Sequence, residues 1–333
     1  MAGVEAGRIW ARDNLLAWGV VPFDAKQRAP EERAQMLAKL GFRSFGFNWR
    51  EQHIAILDAE LEALKRHGIE LLACALYGTE NPYIDRILEA CKRHQVHPQL
   101  WLMLGMPKAP EEWARLLPNG LHLPSTPEER AKLSPQAKQA IDIELTRVWQ
   151  ADLTRTPAEQ QRRIEVEANR VYALVKRTSA YGLQVELYNH NGWFGMLENQ
   201  LAVIARLKEL GGSDVGVVYN FSHARDWLHD DSRDFLELWR KIKKHVVAVN
   251  ITGMCMDGEF VYPSQGDSEL EMMRTIQDSG WTGPVGVLAE KGDDAEVTLS
   301  RYLIGLDWLA AELKKHGSGG PRPFQQAPLS AFL

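Results

Sequence analysis

Cysteine is scarce: three in 333 residues, Cys74, Cys91 and Cys255, far apart and forming no CxxC pair. So sparse and odd a count excludes a disulfide framework and fits reduced thiols in a cytoplasmic protein. No apolar run approaches the roughly 20 residues that span a bilayer, so no membrane partner is expected. The opening stretch MAGVEAGRIWARDN is charged and has no apolar h-region, so no secretory leader is expected. A basic excess is also missing. The 39 Lys+Arg against 44 Asp+Glu give a net charge of −5, which leaves no electrostatic footprint for nucleic acid. What the chain has is apolar mass: 45% hydrophobic residues with 11 Trp, 10 Phe and 8 Tyr. That excludes disorder for most of its length and suffices for a large core.

Eight short apolar runs recur along the chain: Leu15–Val21, Arg43–Asn48, Ile69–Leu76, Pro98–Leu104, Leu183–Tyr188, Val215–Tyr219, Val246–Ile251 and Pro284–Leu288. Each has strand length and is mostly continuous in apolarity, the pattern of parallel strands buried on both faces. Amphipathic stretches with start and stop signals lie between them. Pro30-Glu31-Glu32 opens a helix that stops at Gly41, and Thr156-Pro157-Ala158-Glu159 reads as a capping box for a long helix closed by Gly182. Eight strand–helix units predict a single α/β domain, a (β/α)8 TIM barrel over residues 1–316. An open doubly wound sheet would usually carry a Gly-rich phosphate loop after its first strand, and VVPFDAKQR has none. Residues 108–155 interrupt the rhythm after the fourth strand; two more helix-start signals predict a helical insertion there, either lid, subunit contact or plain decoration. Residues 317–333, rich in Gly and Pro, read as a flexible C-terminal tail.

In such a barrel, strand C-termini carry the chemistry. Those positions offer Asp24 and Lys26; Asn48, Trp49, Arg50 and His53; Asn189, His190 and Trp193; Asn220 and His223; Asn250; and Glu290 with Lys291. Amides, imidazoles and indoles suit a polyhydroxylated ligand, whose hydroxyls bond and whose C–H faces stack. Each residue also has a structural reading. His223 could cap the following helix; His190, Trp49 and Trp193 could pack under loops; Asp24 with Lys26 and Arg50 with His53 could be rim ion pairs. Glu186 shares the side-chain parity of Tyr188. It either faces the interior one layer deeper, where burial would raise its pKa, or points outward into a salt bridge.

The segments LYNHNGWFGMLENQLAVI, VGVVYNFSHARDWL, VNITGM and QGDSELEMMRTIQDSGWTGPVGVLAE resemble the xylose isomerase-like TIM-barrel family, the sugar phosphate isomerase/epimerase group, and VVPFDAKQRAPEERAQMLAKLGF with NWREQHI resembles one bacterial branch of it. The resemblance runs over roughly residues 14–311. It implies the barrel and a place among sugar isomerases, epimerases and dehydratases, with zinc-dependent endonucleases further away. The departures concern the metal ligands that the family's motifs imply. Tyr188-Asn189-His190 stands where metal-using members have Glu-Asn-His, and Tyr219-Asn220-Phe221-Ser222-His223 where they have Tyr-Asp-Pro-Ser-His. Ala248-Val249-Asn250-Ile251 replaces His-x-Lys-Asp, and the strand-eight glutamate falls near Leu288, two residues before Glu290. A hard divalent ion favours several carboxylates. No cofactor is therefore certain, and a divalent ion (Mn, Mg or Zn) is expected at most weakly, on His190, His223 and Glu290.

These readings combine into a sugar isomerase/epimerase-like enzyme that abstracts a proton next to a carbonyl of a free or modified sugar. The alternative is a non-catalytic carbohydrate-binding or regulatory barrel that has lost the family metal site. Catalysis is expected from Glu186, His190, His223 and Glu290. Substrate binding is expected from Trp49, Arg50, His53, Asn189, Trp193, Asn220, Asn250 and Lys291. The expected partner is a small-molecule carbohydrate, with no nucleic acid and no membrane; a homo-oligomer is left open.

Overall fold

The computed structural model describes residues 7–104, 132, 134, 137, 154, 156–190, 192–212, 214–224, 232–255, 260–289, 293–315 and 317–324. Eight parallel strands close into a barrel: β1 (Leu15–Trp18), β2 (Ser44–Phe47), β3 (Glu70–Tyr77), β4 (Gln99–Met103), β5 (Val185–Tyr188), β6 (Val217–Asn220), β7 (Val246–Ile251) and, after a two-stranded hairpin of β8 (Gly253–Met254) with β9 (Phe260–Val261), β10 (Val285–Leu288). Each strand pairs with its sequence neighbours, and β1 pairs with β10 to close the ring, Leu15 opposite Val285 and Trp18 opposite Leu288. The expected (β/α)8 architecture is therefore present.

The helices that cover the barrel are α1 (Pro30–Lys39), α2 (Leu57–Arg66), α3 (Ile84–His94), α4 (Pro157–Ser179), α5 (Leu197–Glu209), α6 (Ser232–Ile242), α7 (Glu269–Asp278) and α8 (Ala295–Lys314). Their ends follow from local chemistry. At α4 the Glu159 N–H donates to Thr156 Oγ1 and the Thr156 N–H to Glu159 Oε2, both at 3.2 Å, so two otherwise unpaired donors are satisfied reciprocally. The chain leaves α4 through Gly182 at φ +70°. Asp294 caps α8 through the Glu296 N–H at 3.0 Å.

Two expectations change. The first strand ends at Trp18, because Val20–Phe23 forms a one-turn helix in place of the strand expected to run to Val21. Residues 317–324, expected in a flexible tail, are bonded to the domain. Glu312 accepts the Gly317 and Gly319 N–H groups at 2.8 and 2.7 Å, and Arg322 donates to the Ser264 and Gly266 carbonyls. Residues 325–333 and, apart from Lys132, Ser134, Ala137 and Thr154, the expected insertion at 108–155 lie outside the described residues.

Candidate functional site

Strand parity decides which side chains enter the barrel. On β5 Glu186 and Tyr188 face inward; on β6 Asn220 does, while Tyr219 points out onto Phe235 and Trp239 of α6, with ring centroids 5.7 and 6.4 Å away. At the C-terminal end of the interior, Trp18 of β1 meets Trp101 of β4 at 4.4 Å, and Trp101 stacks on Tyr188 at 5.8 Å. This aromatic layer spans the barrel from β1 to β5.

Above it lies a network of amides. The Tyr188 hydroxyl accepts from Asn220 Nδ2 at 2.5 Å and from Asn250 Nδ2 at 3.1 Å. The Asn220 orientation is set by its other end, since Oδ1 accepts the Ser222 N–H at 2.9 Å and hydroxyl at 2.7 Å. Asn189 is tied to the Asn220 backbone, its Oδ1 accepting the N–H at 2.7 Å and its Nδ2 donating to the carbonyl at 3.3 Å. The two positions where the resemblance implies metal ligands, Tyr188 and Asn220, thus present a phenol and an amide, and Asn250 adds a second amide N–H. These donors do not fit a hard divalent cation, which needs oxygen lone pairs aimed at one point. Among the described residues no three His, Cys, Asp or Glu side chains cluster as metal ligands.

Two imidazoles rest against this network. The His190 and His223 ring centroids are 4.3 Å apart, and both rings face Tyr188, at 6.2 and 5.7 Å. Burial and, second, the Arg50 charge push His190 down to about 4, so its ring is neutral at physiological pH. Its Nδ1 is buried without a hydrogen-bond partner, as is Asn250 Oδ1. Unmet polar atoms of this kind can be satisfied by water or by a ligand.

The rim over β1 to β3 is aromatic and basic. Trp49 is buried, donating from Nε1 to the Ala75 carbonyl at 2.8 Å and meeting Tyr77 edge-on at 5.2 Å. Arg50 is exposed and lies over Phe23 and Tyr77. The expected ion pair of Arg50 with His53 is instead a backbone bond, the Arg50 N–H donating to His53 Nδ1 at 2.9 Å. Burial, with the Arg33 and Arg50 charges, lowers the His53 pKa. Asp24 does not pair with Lys26 through side chains; it holds Arg28 through both oxygens at 2.8 and 2.9 Å, and Lys26 pairs with Asp294 at 2.7 Å.

Two further expected site residues lie away from the open mouth. Trp193 is 1% exposed, its Nε1 bonded to Gln160 Oε1 of α4 at 2.7 Å and its ring covered by Arg163 at 5.4 Å. It packs the β5 loop onto α4 and presents no open face to a sugar. Glu186 does face inward, and burial raises it to about 7. It stands two residues, about 6.6 Å along the strand, below Tyr188, accepting the Gly216 N–H toward the bottom of the barrel. The aromatic layer separates it from the mouth. Glu290 and Lys291 lie outside the described residues. Trp18, Trp101 and Phe23 were not anticipated in the site; Trp18 ends its strand, and strand-end position, which also marks Tyr77 of β3, is the signal for it.

No protein-family model matches the chain, and no curated protein does. Solved structures match in fold. The probable 3-DHS dehydratase AsbF of Bacillus anthracis is 12% identical at a TM-score of 0.55, over 89% of this chain and 98% of its own. The 3-keto-D-glucoside 4-epimerase of E. coli is 13% identical at 0.54, over 89% and 98%. A D-psicose 3-epimerase studied with D-fructose is 14% identical at 0.53, over 91% and 99%. At these identities the likeness is one of fold: this chain is built on the same TIM barrel as these three proteins.

Proposed function

We propose that the chain binds a small carbonyl-bearing carbohydrate at the C-terminal mouth of the barrel and moves a proton beside the carbonyl, using its imidazole pair. The observation that carries this is His190: a neutral ring with Nδ1 buried and unpartnered, 4.3 Å from the second ring, His223. A pKa of about 4 makes His190 a poor base at neutral pH but a suitable neutral donor to a developing oxyanion. His223 is then the group that carries the proton. Glu186 has a suitable pKa but stands a layer too deep to reach a ligand. Asn250, with one amide oxygen unspent, is the group to read a hydroxyl. Because the described donors do not fit a hard cation, no step is assigned to a metal.

The test is wash-in of deuterium from D2O into aldoses, ketoses and 3-keto-sugars, followed by NMR. Exchange by the wild-type protein is expected to persist after dialysis against EDTA and to fall about 10²–10⁴-fold in His223→Ala. Exchange that requires an added divalent ion, or that survives loss of His223, would sink the proposal. Saturable sugar binding with no exchange supports the second reading, a non-catalytic carbohydrate barrel. That reading is favoured by the way Asn220 and Asn250 spend their donors on Tyr188.

A further inference from the structure

Cations around the mouth differ in what neutralises them. Arg28 is clamped on Asp24 and reaches Asp294 at 2.6 Å; Lys26 pairs with Asp294 at 2.7 Å and Lys39 with Glu296 at 2.6 Å. Arg50 has no carboxylate partner among the described residues. Its guanidinium is nevertheless held in place. The central carbon lies 5.3 Å from the Phe23 ring centroid and 5.8 Å from that of Tyr77. Nη1 donates to the Trp49 carbonyl at 3.0 Å and to the Tyr77 hydroxyl at 3.1 Å. Tyr77 is itself fixed by donating to Asn48 Oδ1. Nε and Nη2 have no partner among the described residues, and the side chain is exposed.

A planar fork with one end anchored and the rest unspent is preorganised for a two-point contact with an oxyanion, because the rotamer freedom such a contact would remove is already lost. We propose that the unspent N–H groups of Arg50 form a carboxylate subsite, so that the carbohydrate taken at this mouth is a sugar acid. This rests on the carbohydrate reading above and narrows its substrate class. A carboxylate fits better than a phosphate for two reasons. The Arg50 backbone N–H, which could join an anion cradle, is taken by His53 Nδ1. The next residue, Glu51, whose carboxylate accepts from the Tyr83 hydroxyl, carries a negative charge one residue from Arg50, which would oppose a dianion more than a monoanion. The Arg50 charge also reaches His190, the ring assigned to the carbonyl oxygen. On this proposal the acid group and the reacting carbonyl belong to one ligand.

The experiment is calorimetric titration of the full chain with matched pairs: D-glucuronate against D-glucose, D-galacturonate against D-galactose, D-gluconate against D-glucitol, and D-glucose 6-phosphate as the phosphate arm. At least one acid is expected to bind ten-fold or more tightly than its neutral partner. Arg50→Gln should remove that advantage, and Arg50→Lys restore only part of it, since an ammonium has no fork. Melting curves of both variants should keep the wild-type transition, which separates a lost contact from a lost fold. Neutral sugars that bind as well as the acids, a phosphate preferred over every carboxylate, or an acid preference that survives Arg50→Gln would each overturn the subsite while leaving the carbohydrate reading standing. If the wild type binds none of these compounds, the carbohydrate reading itself fails and the subsite with it.

Discussion

On β5 a carboxyl and a phenol stand on one face two residues apart, and depth separates their roles. Glu186 is 3% exposed, and burial raises its pKa from 4.5 to about 7 against the opposing bond from the Gly216 N–H. Because the folded-state pKa lies above the unfolded one, the native chain holds the extra proton between about pH 4.5 and 7. Stability is greatest below that window and falls as pH rises through it, by up to about 3 kcal/mol for this group. Glu186→Gln should therefore match the wild type near pH 5 and exceed it near pH 8, as read by urea denaturation at both values; a gap that does not widen with pH would place the charge elsewhere. Parity set Glu186 on the face of Tyr188 but left its inward and outward placements open, because which face is the interior depends on the neighbouring strands; in the structure it is buried and its pKa is raised. The depth of Trp193 was not legible. It depends on Gln160, 33 residues earlier and on another element, and no local pattern encodes such a pairing. The replacement of carboxylates by Tyr188 and Asn220 was readable from position, but not the direction of the amide hydrogens, which Ser222 fixes for Asn220 from the next turn.

Elements were the most legible level, because continuous apolar runs and cap residues are local. Where reading and structure part, a tertiary cause is visible. β1 stops early because Val20–Phe23 coils to bring Phe23 over the mouth, where it meets Arg50. The β8–β9 hairpin is only two residues a strand, too short for a period-2 pattern to register. Between α1 and α2 the sequence shows two charged helices, and only the structure shows that Arg33 and Glu60 meet at 2% and 0% exposure. Burial raises Glu60, with Arg33 opposing, so its charge is held by one partner. Arg33 Nε and Glu60 Oε1 are both left without hydrogen bonds, which makes the pair an imperfect one. Removing half of it strands a buried guanidinium: Glu60→Ala should lose about 3–5 kcal/mol. The joint change Arg33→Met with Glu60→Leu should lose far less, since no charge remains to desolvate. Urea midpoints of the two variants decide this. Equal losses would mean that the helices are joined by packing alone.

At the scale of the whole molecule, the barrel is closed by filling it. Eight strands enclose a space just wide enough for side chains, so large residues on one strand need small ones opposite. Trp18 from β1, Trp101 from β4 and Tyr188 from β5 make the upper layer. A small partner of this layer is Gly46 of β2, where a Cβ would lie 2.3 Å from Trp18 Cε3; in the amide network above, a Cβ at Gly286 of β10 would lie 1.7 Å from Asn250 Oδ1. This complementarity makes the layer a floor for the mouth, on which the Tyr188 network and both imidazoles rest. It was not legible in the sequence, because each pair joins positions on different strands. Gly46→Ala should therefore destabilise by about 1–3 kcal/mol through overpacking, and Trp18→Phe should lose contacts of its own. The decisive quantity is their coupling. A phenylalanine ring lacks the fused second ring of the indole, so in the double variant the new methyl gains space and fills part of the void left by the indole. The double variant should then be more stable than the sum of the single effects by about 1 kcal/mol or more, the range expected of residues in direct contact. Strict additivity across the four urea titrations, with m-values unchanged, would show that Trp18 does not lie against β2 and that some other packing closes the barrel.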